Sequence, residues 1–320
     1  MSGPPEETPA GGIPFLSQIA EPGAGPGPAA LPEIPPADRK RFPGIGGAIL
    51  LVLLITALQC AGGIAMAVVT EVARAMGQPL EQSDALGIGI AVVQVIAILP
   101  AIWLGWLLAR RPVGEVLPMR TFHPAILAPL LVVAVGLTIV VSECDNLTRL
   151  VLPMPEELAR LFQELFEPGV GMFVALVLVA PVMEELLFRG VILTGFLTRY
   201  RPGTAIFASA VLFAIAHLNP YQFAAGLVAG LFLGWLMIRT RSLWPCILMH
   251  ALFNAHVAVM PILRDRLGVE IRGFTGPPQA GLVEFQPLWF NALGLILVGA
   301  GVLGVAALGG RPRAAAEAGS

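Results

Sequence analysis

Apolar residues gather into eight runs, at roughly 46–70, 86–109, 122–142, 170–195, 203–218, 222–238, 242–261 and 286–309. Most reach the ~20 residues that a helix needs to cross ~30 Å of hydrocarbon. At 1.5 Å per residue, 203–218 covers only ~24 Å and 222–238 only ~26 Å. The tight turn Asn219-Pro220-Tyr221 joins these two. They read as a helical hairpin with a sunken tip, tolerable where the tip is buried in protein or lines a wet cavity. Between the third and fourth runs, Glu156 to Phe166 has the spacing of an amphipathic surface helix. The pattern predicts an all-α fold: a polytopic membrane helix bundle of about eight transmembrane helices.

Three regions follow. Residues 1–42, rich in Pro, Gly, Ala and Glu and without apolar periodicity, read as a disordered cytoplasmic tail with no secretory signal. Residues 43–310 form the membrane-embedded domain, and 311–320 a short C-terminal tail. With the N-terminus placed in the cytoplasm, the inner flanks hold twelve basic residues, Arg39-Lys40-Arg41 among them, and the outer loops six. This asymmetry predicts that both termini are cytoplasmic.

Composition narrows the function. Hydrophobic residues make up 56% and charged residues 12% of 320, where about 25% charged is usual in soluble domains. No basic patch with interleaved aromatics points to nucleic acid. Cys60, Cys144 and Cys246 are too few and scattered for a disulfide framework or a thiolate metal site. The basic residues are 18 Arg and one Lys, which with the Ala and Gly content suggests a GC-rich bacterial genome and hence a bacterial inner membrane.

The chemistry gathers where polar residues interrupt the runs. Glu184 and Glu185 lie deep in the fourth, with Arg189 one turn on. Ionisable groups in hydrocarbon are costly, ~2.5–3.5 kcal/mol each on insertion scales, and default to a functional reading. Glu185 and Arg189 share a helix face and read as a neutralised, supporting pair. Glu184 points ~100° away, toward a cavity. His217 ends the fifth run, and His250 and Asn254 share a face of the seventh. In such a set a glutamate can take a proton from water, a histidine beside it can orient the water and pass the proton to a leaving amine, and a second histidine with an Asn amide can hold the oxyanion. No Ser or Cys stands in a comparable constellation. Helix rise puts Glu184 and His250 at similar depth in the cytoplasmic half, with His217 too far out unless the short hairpin shifts. Phe213 reads as packing, and His123 and His256 as interfacial. Pro181 is expected to kink its helix and free a carbonyl near the site. Gly226, Gly230 and Gly234 have the spacing of a close helix contact.

Glu-Glu-x-x-x-Arg at 184–189, Phe-x-x-x-His at 213–217 and His-x-x-x-Asn at 250–254 together resemble the CPBP (CAAX protease and bacteriocin-processing) intramembrane protease family. Its eukaryotic relative is the type II CAAX prenyl endopeptidase. The resemblance covers about residues 170–260. It implies an eight-helix bundle, a water-activating glutamate at Glu184 with a partner at His217, an oxyanion site at His250 and Asn254, and supporting roles for Glu185 and Arg189.

The expected function is hydrolysis of a peptide bond near the cytoplasmic face. The expected partners are the bilayer and a peptide or protein substrate, lipidated C-terminal CAAX-like peptides among the candidates, and no nucleic acid. No cofactor or metal is called for, Zn²⁺ held by the glutamate and two histidines being the alternative. A non-catalytic scaffold or bacteriocin self-immunity protein is the competing reading. A proton-coupled transporter is the third, against which the chain shows no repeat of the inverted-transporter kind.

Overall fold

The computed structural model describes residues 41–77, 83–165, 169–276 and 281–308. The expected N-terminal tail, apart from Arg41 and Phe42, and the expected C-terminal tail lie outside them. Every regular element among the described residues is a helix. Apart from a single turn at Val113–Val116, these are in chain order α1 (Ile45–Ala75), α2 (Asp84–Ala109), α3 (Pro124–Val151), α4 (Glu156–Leu165), α5 (Val170–Phe196), α6 (Pro202–Ala216), α7 (Pro220–Thr240), α8 (Leu243–Arg266) and α9 (Leu288–Leu308).

Seven of these helices are long and apolar enough to cross a membrane. The chain is therefore an integral, multi-pass membrane protein. The eighth expected span is α6, which has 15 residues and a reach of only ~22 Å. Several helices outrun their apolar runs. α3 continues past residue 142 because its polar groups are bonded there. Glu143 accepts from the Asn146 side chain at 2.9 Å, the Gln286 backbone N–H at 3.1 Å and the Asn291 side chain at 3.1 Å.

α5 stands at the centre. Every residue from Leu187 to Phe196 is buried, as expected of a helix that is apolar all round and enclosed by protein. It is not a uniform α-helix. Val174–Val179 and Leu186–Leu193 are π-helical and flank a short α-helical stretch carrying Pro181 and both glutamates. α6 and α7 form the hairpin. A Cβ on Gly230 would come within 2.9 Å of Ala210 Cβ, and one on Gly226 within 3.1 Å of Ala214 Cα. The small-residue stripe is thus a close helix contact.

At the hairpin tip, Leu218 takes a left-handed φ of 49° and the Asn219 side chain caps α7 by accepting from the Tyr221 N–H at 3.1 Å. The buried Tyr221 donates its hydroxyl to Pro153 O at 3.0 Å. It packs with Met154 and Ala159, and Leu158 and Phe162 of α4 join them. The sunken tip is therefore roofed by protein, and the amphipathic helix is what roofs it.

Candidate active site

Glu185 is wholly buried and anchors two groups. Its Oε1 accepts from Arg189 Nη1 at 3.0 Å and from His250 Nδ1 at 2.9 Å. Arg189 also donates to Gly230 O at 3.3 Å, a carbonyl reachable because the glycine stripe draws α7 close. Its guanidinium lies 4.5 Å from the centroid of the Phe213 ring. Such a cation–π contact contributes ~2 kcal/mol when desolvated. The pair expected to be supporting is thus bonded to a histidine as well. A carboxylate only accepts, so Nδ1 carries the proton and Nε2 of His250 is left to face outward.

Glu184 is turned the other way, into a cavity of about 890 Å³. His217, His250, Asn254 and Phe213 line the same cavity. Glu184 Oε2 lies 3.9 Å from His250 Nε2, too long for a direct bond but a separation that one water can bridge. Glu184 Oε1 accepts from Gln94 Nε2 on α2 at 2.8 Å, and Gln94 Oε1 accepts from Gln59 Nε2 on α1 at 2.8 Å. Gln94, itself held by Gln59, thus fixes one oxygen of Glu184 and leaves the other toward the cavity. Sequence reasoning passed over both glutamines. They are nevertheless isolated polar residues in apolar runs, the signal that located the glutamates.

His217 caps the C-terminal end of α6. Its Nδ1 donates to Phe213 O at 2.9 Å, so in the neutral ring Nε2 is an open acceptor. The helix end places the ring in the cavity, but neither His217 nor Glu184 hydrogen-bonds the other. Phe213 stands between the two histidines, edge-on to His217 at 4.9 Å and to His250 at 5.7 Å between ring centroids. It is packing, as expected, and it also sets their spacing.

Asn254 donates one amide hydrogen to Leu176 O at 2.8 Å, which leaves the second for the cavity. Leu176 O has a reason to be vacant. In π register a carbonyl is served by the N–H five residues on, which here is Pro181, and proline has none. The expected freed carbonyl is therefore present, and Asn254 occupies it. His256, on the same helix, donates Nδ1 to Phe253 O at 2.7 Å and lines the cavity rather than the membrane interface. His123 sits at the start of α3, where its Nδ1 accepts from the Ala125 N–H at 3.1 Å.

Among the described residues, no three His, Cys, Asp or Glu side chains converge as a metal-binding group. His250 and Glu185 spend their facing atoms on one another, with the Arg189 cation adjoining. That donor set does not suit a dication.

The cavity opens toward one end of the bundle. Its wall draws on the N-terminal halves of α2, α5 and α7, the C-terminal halves of α3 and α8, and residues 273–276, 282 and 284. Cleavage close to the face from which α1 starts was the expectation, and the opening lies at the opposite end.

Residues 166–256 match the family model described as Rce1-like, type II CAAX prenyl endopeptidase. The segment runs from just before α5 into α8, and contains Glu184, Glu185, Arg189, His217, His250 and Asn254. No curated protein and no solved structure matches the chain.

Proposed function

We infer that this membrane protein, whose core from 166 to 256 is that of a type II CAAX prenyl endopeptidase-like protein, hydrolyses a peptide bond with a glutamate-activated water. The reading rests on one observation above all. Glu184 is fixed through one oxygen by Gln94, while the other faces a cavity that also holds His217, His250 and Asn254.

Glu184 takes a proton from water as that water attacks the carbonyl carbon. The oxyanion that forms is met by His250 Nε2, protonated for this purpose, and by the second amide hydrogen of Asn254. Glu185 on Nδ1 fixes the ring so that Nε2 faces the cavity, the orienting role a carboxylate plays behind a catalytic histidine. His217 Nε2, an acceptor in the neutral ring, takes up the proton from Glu184 through water and returns it to the departing amine as the C–N bond breaks. General-base chemistry of this kind contributes ~10²–10⁴-fold, and oxyanion donors about as much again. The residues themselves supply the base, the acid and the oxyanion donors, with no step assigned to a metal.

The test is cleavage of a peptide panel, a farnesylated CAAX peptide included, by the purified protein in detergent. Glu184→Gln serves as the control, with a chelator titration alongside. Cleavage that is lost in the variant and indifferent to chelator is the expected result. Chelator-sensitive cleavage would reassign Glu184 and the two histidines as metal ligands. Full cleavage by Glu184→Gln would end the glutamate reading, and no cleavage of any peptide would favour a scaffold or self-immunity protein.

A further inference from the structure

The end of the bundle at which the cavity opens differs in charge from the other end. The connections at 110–123, 197–201 and 239–242 lie at the closed end and carry seven arginines and a single acid, Glu115. Arg41, just before α1, belongs to that end too. Among the described residues the cavity end has six arginines but ten acids, Glu143, Asp145, Asp265, Glu270 and Glu284 among them. Short basic connections flanking spans stay on the cytoplasmic side. Acids contribute little to that rule, but among the described residues the basic ones alone favour the closed end by eight to six.

Two independent features therefore point in opposite directions along the bundle axis. The basic flanks mark the closed end as cytoplasmic, and the cavity wall comes from the other ends of the same helices. Glu184 is ~14 residues from the N-terminus of α5, at the bottom of a well ~20 Å deep. Surface helix α4 and residues 273–276, 282 and 284 stand at its mouth.

We propose that the site is loaded from the non-cytoplasmic side of the membrane. Its substrate is then a polypeptide segment exposed there, such as an extracytoplasmic stretch of a secreted or membrane-anchored chain, and not a cytoplasmic prenylated C-terminus. The sidedness stands on charge and geometry alone. The substrate class rests additionally on the peptidase reading above.

Two measurements separate the parts. First, Cys60, Cys144 and Cys246 are replaced by Ala in the full chain, and a single cysteine is introduced by Glu270→Cys at the open end or Gly203→Cys at the closed end, both exposed positions. Intact cells are treated with a membrane-impermeant maleimide. The open-end cysteine is expected to label at once, and the closed-end cysteine only after the membrane is permeabilised. The reverse pattern, or labelling of both in intact cells, overturns the proposal whatever the protein's activity. Second, quenched fluorescent peptides without lipid, and a farnesylated CAAX peptide, are added to right-side-out and inside-out vesicles, with Glu184→Gln as the blank. Glu184-dependent cleavage of unlipidated peptide by right-side-out vesicles supports the substrate class. Cleavage confined to the farnesylated peptide in inside-out vesicles overturns it. The expected labelling with no Glu184-dependent cleavage in either vesicle would count against the peptidase reading and leave the sidedness standing.

Discussion

Glu185 and His250, 65 residues apart, are joined by a 2.9 Å bond between Oε1 and Nδ1, and the same oxygen receives Arg189. The adjacent glutamates thus divide the work: one is committed to a buried ion pair and a histidine, and the other is left to the cavity.

That division makes stability and activity separable. Glu185→Ala leaves Arg189 buried and unpaired and is expected to cost about 3–5 kcal/mol. The double variant Glu185→Leu, Arg189→Met removes both charges and should recover most of the melting temperature. It should nevertheless remain inactive, because His250 loses the carboxylate on Nδ1. Thermal unfolding in detergent beside a cleavage assay reads both, and an active double variant would refute the role given to Glu185.

Gln94 is expected to matter through Glu184. Gln94→Leu should lower kcat about tenfold with KM little changed, the size of effect expected from one lost orienting bond to a charged group. Gln94→Glu removes the donor and sets a second carboxylate beside Glu184, so it should lower kcat at least as much as Gln94→Leu. Gln59→Leu should follow Gln94→Leu in direction with a smaller effect. An unchanged kcat in Gln94→Leu would show that the amide does not govern Glu184.

Particular residues show how far the amino-acid pattern foretells this arrangement. The long spans were legible because an apolar run near twenty residues matches the thickness of a bilayer and exceeds what a soluble core helix needs. The glutamates, His217, His250 and Asn254 stood out because polar groups are costly in such runs, and all of them line the cavity or adjoin it. Gln59 and Gln94 carry no charge and lie well outside the motif segment, so only tertiary packing reveals their partner. Which histidine stands nearer Glu184 was likewise settled by packing: His250 is at 3.9 Å, whereas His217 was the expected partner. The π-helical stretches have no pattern of their own beyond Pro181. The open end of the cavity follows from loop packing, which periodicity does not report.

The hairpin gives a prediction with a steric basis. Gly230→Leu drives a side chain into Ala210, whose Cα is 3.0 Å from where the Cβ would stand. Separation of α6 from α7 should cost about 1–3 kcal/mol. It should also move Gly230 O away from Arg189, so activity should fall along with the melting temperature.

The roof over the hairpin tip can be loosened with one oxygen. Tyr221→Phe removes the bond to Pro153 O and should cost about 1 kcal/mol. Limited proteolysis should then cut faster within 151–170 than in the parent protein. Equal cutting rates would mean that apolar contacts alone hold α4 in place.

The π-helical stretch at Val174–Val179 has one further consequence. A π-bulge amounts to one residue inserted into an α-helix, and each residue turns the helix by ~100°. The stretch, whose Leu176 carbonyl is pinned by Asn254, therefore works as a phase shifter between the first turn of α5 and the part that carries the two glutamates. Deleting a single residue there would keep every side chain of the motif, yet force one part to rotate against the other. The angular offset of an apolar stretch, as much as the identity of its charged residues, decides which carboxylate meets the cavity.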